Sequence, residues 1–333
     1  MNDQWLMILG VVFSVFAVIG VGGAMRQVGW LTEEADQSLL RLIVRLLLPC
    51  LVFSVVSVSP TLRVPQNIII PPAAGFGSVA LGLGLGLLVA RLAGPWAGLR
   101  DGRQQRSFAL CVGVFNYGFV PIPLVKLLYD DATLGVLFVY NVGTELAIWT
   151  LGVMLISGGL TRDWWRKCIN PPSVSIVLAL GYNFLDLSAR LPAFADDVLR
   201  RGVDLIGQAA IPVSLLVVGA TIADELRRDR RGHDRSAGVR QVGWSILLRL
   251  ALLPAAFVAL ALVVPGTELK RVLVIQAAMP AAVFPIVMTR LYGGDPATGL
   301  RVVLATSLAS LVTTPLWITL GMMWLGGGVA VGG

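Results

Sequence analysis

Two breaks in apolar stretches of the chain carry the residues best suited to chemistry. In the first, Asn116, Gly118, Pro121 and Pro123 fall within one short part of an otherwise apolar segment. Proline removes a helical hydrogen bond and clashes with the preceding turn, so amides and carbonyls there lack helical partners. Free amides at a helix end bind small anions. The first break is therefore a candidate binding site for an anionic group.

A second break is predicted in 276-QAAMPAAVFPIV-287, which contains Gln276, Pro280 and Pro285. A single proline commonly kinks a membrane helix without any role in binding. Two breaks at corresponding positions of a repeated sequence instead favour a shared site near the middle of the membrane. We therefore expect Gln276 and the backbone around Pro280 to lie opposite Asn116.

Glu145 is a carboxylate in the middle of an apolar stretch, with Asn141 one helical turn before it and Thr144 beside it. A carboxylate in the membrane is costly unless it is paired or hydrated, and such residues often relay protons or bind ions. The alternative is a structural ion pair with Arg45 or Arg249. We favour Glu145, assisted by Asn141 and Thr144, as an ion-coupling group.

The composition requires a membrane to hold these residues in place. Of 333 residues, 56% are hydrophobic and 14% are charged, whereas about 25% charged is usual in soluble proteins. A membrane helix needs about 20 apolar residues, and ten stretches of about that length follow one another. These predicted helical spans are 5–24, 38–57, 68–90, 107–128, 132–157, 171–188, 202–222, 241–264, 271–291 and 298–326.

The distribution of basic residues predicts the orientation of these spans. The odd-numbered connections hold more than twice as many lysines and arginines as the even-numbered ones. The positive-inside rule then predicts a multi-pass protein of the cell (inner) membrane with both termini outside the cytoplasm. The basic run 226–240 and Cys168 are predicted to face the cytoplasm. The net charge of +7 therefore needs no nucleic acid partner.

Internal repetition divides the chain into two halves. Pro49 and Pro212 lie in similar segments 163 residues apart, and Tyr129 and Tyr292 show the same separation. Because each half has an odd number of predicted spans, the second half enters the membrane in the opposite orientation. The predicted units are a first repeat at 1–157, a cytoplasmic linker at 158–170 and a second repeat at 171–333.

The residues of the first break resemble a family signature. Asn116, Tyr117 and Gly118, followed by 121-PIPL-124, resemble the N-x-G-x-x-G-x-P-L pattern of the auxin efflux carriers, with Pro121 in place of the second glycine. The resemblance implies an all-α polytopic membrane protein with ten transmembrane helices in two inverted five-helix repeats. It also implies broken crossover helices at the fourth and ninth spans. Spans one, two, six and seven would form a scaffold, and the other six a moving transport unit.

The sequence predicts a secondary active transporter of small organic anions, most simply carboxylates such as malonate, malate or an auxin-like acid. It would work by alternating access with proton coupling, and its partners would be the anion and the lipid bilayer. Whether it forms a homodimer is left open. The alternative within transport is a sodium-coupled symporter of the bile acid symporter type.

Other classes of protein are disfavoured by what the sequence lacks. An enzyme would need a converging nucleophile and base, and a sensor would need a further soluble domain. Three cysteines and the single His233 form no ligand cluster, so we expect no enzymatic activity, no cofactor and no metal site.

Overall fold

The computed structural model describes residues 2–158, 165, 169–229 and 235–325. Most of the predicted linker 158–170, together with Cys168 and His233, lies outside the described residues. Within them the chain is helical, and the one β-contact is an isolated bridge between Phe115 and Ala281.

The described residues of the first half form eight α-helices. They are α1 (Asn2–Gln27), α2 (Glu33–Leu42), α3 (Leu48–Val56), α4 (Gln66–Leu92), α5 (Gly102–Gly113), α6 (Pro121–Leu128), α7 (Asp131–Ala147) and α8 (Val153–Ser157). The π-helical turns Ile43–Leu47 and Ile148–Gly152 make α2–α3 and α7–α8 continuous. Between α5 and α6 the helix is interrupted at 114–120, which we call the first break.

The described part of the second half has nine α-helices. They are α9 (Pro171–Phe184), α10 (Leu187–Arg190), α11 (Ala193–Gln208), α12 (Ala210–Asp229), α13 (Arg235–Leu247), α14 (Leu253–Val263), α15 (Thr267–Ala277), α16 (Phe284–Leu291) and α17 (Pro296–Trp324). The π-helical turn Leu248–Leu252 joins α13 to α14. The second break, 278–283, separates α15 from α16.

Seven helices in the described residues are long and apolar enough to cross a membrane. They are Trp5–Gln27, Glu34–Val56, Gln66–Leu92, Asp131–Ser157, Ala193–Asp224, Gly238–Val263 and Pro296–Trp324. The other three predicted spans are built from shorter helices; they are 107–128, 171–188 and 271–291. In the first and the third of these spans, one short helix lies before a break and another after it. The chain is thus a polytopic all-helical membrane protein.

Prolines explain most irregularities within the long helices. A proline ring clashes with the carbonyl four residues earlier, and Pro49 and Pro254 each follow a π-helical turn at that distance. Pro212 similarly follows the interruption at Ala209, which separates α11 from α12 within one predicted span. The predicted span 202–222 contained no interruption.

Close helix contacts depend on glycine. A Cβ at Gly219 of α12 would lie 1.8 Å from the Ile19 carbonyl oxygen of α1, and a Cβ at Gly143 of α7 would lie 1.8 Å from the Pro72 carbonyl oxygen of α4. A Cβ at Gly82 of α4 would likewise lie 2.8 Å from the backbone of Gly113 in α5. Such contacts let backbones approach closely, as is common between membrane helices.

Several pairs of helices make the main packing contacts. Helix α1 packs on α12 and α9 packs on α3, while α4 packs on α5 and α7, and α13 packs on α17. Helix α15 contacts α7 and α14, and α17 contacts α5. The most completely buried segments are in α5, α7 and α15, so the core surrounds the two breaks.

Polar contacts join parts of the chain that are distant in sequence. Arg26 at the end of α1 pairs with Asp224 of α12 at 3.2 Å, and Ser107 Oγ of α5 accepts a hydrogen bond from the Asp295 amide at 2.7 Å. Arg271 of α15 donates to Asp130, just before α7, at 2.9 Å.

Asp130 shows how these contacts set the charge of a carboxylate. Partial burial acts to raise its pKa, but hydrogen bonds from Thr133 and the positive charge of Arg271 outweigh burial, so the pKa is lowered. The carboxylate is therefore held in its charged form at the start of α7.

Candidate functional site

The first and second breaks lie against each other and are joined by main-chain hydrogen bonds. The Asn116 amide donates to the Pro280 carbonyl at 2.9 Å, and the Ala282 amide donates to the Val114 carbonyl at 3.0 Å. Buried backbone without helical partners must be satisfied in some other way. Each break therefore supplies hydrogen-bond partners for main-chain groups of the other. The candidate site lies where the two breaks meet.

Prolines begin the short helix that follows each break. Pro121 and Pro123 are the first and third residues of α6, and Pro285 is the second residue of α16. Proline is well accommodated in a first turn, where its missing amide would have had no helical acceptor. Both helices are eight residues long and end before a tyrosine, Tyr129 and Tyr292 respectively.

Buried side chains of neighbouring helices hold the breaks in place. Gln276, fully buried near the end of α15, donates from Nε2 to the Tyr117 carbonyl at 3.2 Å and to Asn141 Oδ1 at 3.4 Å. Its Oε1 has no hydrogen-bond partner among the described residues. Thr306 Oγ1 accepts from the Ala281 amide at 3.2 Å. Gln276 thus lies against the first break, together with Asn141 of α7.

A small cavity lies beside the first break. Asn116 Oδ1 accepts a long hydrogen bond of 3.4 Å from the Val120 amide, and a Cβ at Gly118 would meet open space. The cavity has a volume of about 10 Å³, which is room for about one water molecule. Its lining residues are Leu48, Gly118, Phe119, Ile122, Pro123, Ala210, Ile211 and Ser214. The buried hydroxyl of Ser214 has no hydrogen-bond partner within the described part of the chain.

Glu145 is bonded to a helix from the other half of the chain. Its carboxylate accepts a hydrogen bond from Asn170 Nδ2 and a longer one of 3.5 Å from Ser173 Oγ, both at the start of α9. The carboxylate therefore lies at the positive end of a helix dipole, which favours a negative charge.

The alternative ion pair of Glu145 is absent from the described residues, because neither Arg45 nor Arg249 lies within 4.0 Å of its carboxylate. The three residues predicted to couple an ion do not converge. Asn141 contacts Gln276, whereas Thr144 faces Gly75 of α4 and donates at 3.5 Å to a carbonyl of its own helix.

Arg249 is the largest fully buried side chain of the described residues, and it reaches the second break. Its Nε donates to the Met279 carbonyl at 2.9 Å and its Nη2 donates to the Gln276 carbonyl at 3.1 Å. The guanidinium carbon lies 4.8 Å from the centre of the Phe115 ring in the first break. Arg249 is thus in contact with both breaks.

Sequence reasoning missed several of these residues. Arg249 was weighed only as a partner for Glu145, although a charge within an apolar span is itself a signal for function. Ser214 lies in the segment that repeats the surroundings of Pro49, which was a usable signal. No signal in the sequence pointed to Asn170 and Ser173, because their contact with Glu145 depends on how two helices that are distant in sequence pack together.

Comparison with known proteins agrees with this architecture. The model of a family described as "Membrane transport protein" matches residues 7–162 and 159–318, which is nearly the whole chain. The chain belongs to this family. The resemblance to the auxin efflux carriers drawn from the first break is thereby confirmed.

A relative of this membrane transport protein is found in Methanothermobacter thermautotrophicus. That protein is described as an uncharacterized transporter and is 24% identical over 311 residues, covering 92% of this chain and 96% of its own length. Family membership, the relative and the apolar helices together identify a multi-pass membrane transport protein.

Proposed function

We propose that this membrane transport protein is a secondary active carrier of small organic anions, with carboxylates as the favoured class, that works by alternating access. The observation that carries the proposal is the pair of crossing breaks beside a small cavity. A crossing of two broken helices places unpaired main-chain groups and helix ends together inside the protein, which suits a small charged substrate.

The proposal includes ten spans. Seven are the long helices, and the others are α5 with α6, α9, and α15 with α16. Contacts at the ends of the spans support this count, because each joins residues that the count places on the same side of the membrane. Such pairing is expected when successive spans cross in alternating directions. With the basic residues on the odd side, both termini would lie outside the cytoplasm of a cell with this protein in its inner membrane.

Two inverted repeats, 1–157 and 171–333, are also part of the proposal. The packing of α1 on α12 has its counterpart in the packing of α9 on α3, as expected if the first and sixth spans and the second and seventh spans are equivalent. The short helices α6 and α16 agree in length and in their early prolines. The two segments that match the family model also divide the chain near the proposed boundary.

The cavity is suited to substrate binding because of its position. Leu48 and Ile211, which are equivalent under the 163-residue repeat, both line it, and they belong to the proposed scaffold. Gly118 and Pro123 of the proposed transport unit line the opposite wall. Its volume of about 10 Å³ holds about one water molecule, so in the proposed cycle a carboxylate enters only after the transport unit and the scaffold move apart.

The polar groups around the cavity match a carboxylate. Ser214 lines the cavity and Asn116 comes two residues before the lining residue Gly118, and both side chains supply hydrogen-bond donors. The start of α6 adds only its dipole, because its prolines have no amide and its Ile122 and Leu124 amides are bonded to carbonyls. The apolar residues of the wall exclude water, so these few groups decide which ligand binds.

Proton coupling through Glu145 is the proposed energy source. Glu145 is on α7, in the proposed moving unit, whereas Asn170 and Ser173 are on α9, in the proposed scaffold. Movement of one unit past the other must break these hydrogen bonds. A carboxylate whose partners change during transport gains and loses its proton at different stages of the cycle.

Counterflow tests the proposal. Purified full-length protein in liposomes loaded with unlabelled malonate, malate or indole-3-acetate should accumulate the labelled form of at least one of them. Protein-free liposomes should not accumulate any. If no mono- or dicarboxylate in the panel shows counterflow while the protein remains folded, the proposed substrate class is wrong.

A further inference from the structure

A buried arginine holds the end of the helix that precedes the second break. Arg249 is fully buried, and it donates to the Gln276 and Met279 carbonyls at 3.1 Å and 2.9 Å. The Gln276 carbonyl, in the last turn of α15, also accepts a hydrogen bond from the Met279 amide at 3.3 Å, and the Met279 carbonyl lies in the second break. Both carbonyls are at the negative end of the helix dipole. The positive charge therefore neutralises a helix end.

No carboxylate balances this charge within the described residues, because no acidic oxygen there lies within 4.0 Å of the guanidinium. The two carbonyls offset part of the cost of burying the charge. The rings of Phe115 and Phe257, whose centres lie 4.8 Å and 5.5 Å from the guanidinium carbon, offset a further part. A buried cation costs much free energy unless it is paired. The nitrogen Nη1 also has no hydrogen-bond partner in the described part of the chain.

Carbonyl oxygens at an unwound helix end are the groups that bind sodium in many secondary transporters. Sodium is a hard cation that takes several oxygen ligands, and a guanidinium offers the same charge in a fixed geometry. At the second break, two nitrogens of Arg249 already occupy two of these oxygens.

We propose that Arg249 is the built-in cation of the crossing. It supplies the positive charge that balances a bound organic anion, and it takes the position that a coupling sodium ion would need. This inference rests on the proposed function, since it assumes that the carried substrate is an anion. It further implies that anion transport by this protein does not require sodium.

The first experiment compares salts and variants in proteoliposomes, with the carboxylate that shows counterflow as the probe. Wild-type uptake should be the same, within twofold, in sodium and in potassium buffers. Arg249→Met keeps most of the side-chain length but removes the charge and its hydrogen bonds, so it should lower apparent affinity roughly 10-fold to 100-fold. Millimolar guanidinium should restore part of this loss.

Arg45→Met is the matched control, because Arg45 is also an arginine in a π-helical turn of a long helix but is exposed. It should retain wild-type affinity and should not respond to guanidinium. Arg249→Lys keeps the charge and should lose less affinity than Arg249→Met.

The second experiment needs no transport. Thermal unfolding of Arg249→Met should shift upwards with guanidinium or sodium, whereas wild-type unfolding should not distinguish sodium from potassium at equal ionic strength. Sodium dependence of wild-type uptake or stability would overturn the inference, as would wild-type affinity in Arg249→Met.

If Arg249→Met does not fold, the wild-type sodium comparison and Arg249→Lys decide the question. The absence of counterflow with every carboxylate is a different result. It would count against the proposed function, while the unfolding experiment would still test whether Arg249 occupies a cation position.

Discussion

At the scale of single residues, Glu145 and Asn116 have different surroundings and should respond differently to substitution. Glu145 is bonded to side chains at the start of α9, across the boundary between the proposed moving unit and scaffold. Asn116 lies in the first break, where its backbone is bonded to Pro280 and its side chain makes one long hydrogen bond. The first arrangement suits a group whose charge changes, and the second suits a group that contacts substrate.

Glu145→Gln should abolish the response of net uptake to a pH gradient and still permit substrate exchange. Glutamine keeps the shape and the contact with Asn170 but cannot bind or release a proton. The measurement is uptake with and without an imposed gradient. Asp131→Asn, at the start of the same helix where Asp131 pairs with Lys126, is the control and should remain driven. A Glu145→Gln carrier that is still driven by the gradient would make Glu145 a structural residue.

Asn116→Ala should weaken binding of the transported carboxylate by about 1 kcal/mol, roughly fivefold in affinity, because one hydrogen-bond donor is lost. Equilibrium binding to the purified protein measures this. Ser14→Ala removes a polar group from an exposed face of α1 and should change nothing. Equal affinities for wild type and Asn116→Ala would place the binding site elsewhere.

At the scale of helices, the contact of α1 with α12 is set by glycine. Gly219→Ala should destabilise the protein by about 1–3 kcal/mol, since its Cβ would overlap the Ile19 carbonyl and the helices must separate. Gly20→Ala is the matched control on the partner helix, because its Cβ would meet open space. Thermal unfolding in detergent compares the two. A Gly219→Ala protein as stable as Gly20→Ala would show that α1 and α12 are farther apart.

The helices and both breaks were largely predictable, because their causes are local. Apolar stretches of sufficient length predict spans, and Pro121, Pro280 and Pro285 predict interruptions at the right places. The π-helical turns were missed. Pro49 and Pro254 supply the physical cause of two of them, whereas the turn Ile148–Gly152 has no proline near it.

The contacts of the candidate site were only partly predictable. Gln276 was expected to oppose the first break, and it lies there. The partners of Arg249 and Glu145 were not foreseen, because they are brought together by helix packing rather than by spacing along one helix. Periodicity gives the face on which a side chain lies but not the residue on the neighbouring helix that meets it.

At the scale of the molecule, the ten-span arrangement makes a prediction about sidedness. In a cysteine-free background, Arg103→Cys in the third connection should react with an impermeant thiol reagent from the cytoplasmic side only. Gln66→Cys, near the second connection, should react from the outside only. Both positions are exposed, so access depends on sidedness alone. Labelling of both from the same side would contradict the ten-span arrangement and the inverted repeat.

The opposite charges of Glu145 and Arg249 have a consequence for membrane voltage. In the proposed cycle the empty unit carries one charge of each sign, and the loaded unit carries in addition a monoanion and a proton. The net charge is then the same in both crossings, so neither does work against an electric field that otherwise contributes about 2.3 kcal/mol per charge per 100 mV. Uptake of a monocarboxylate should keep its rate when a potassium diffusion potential is imposed, whereas a dicarboxylate should be slowed or accelerated by it.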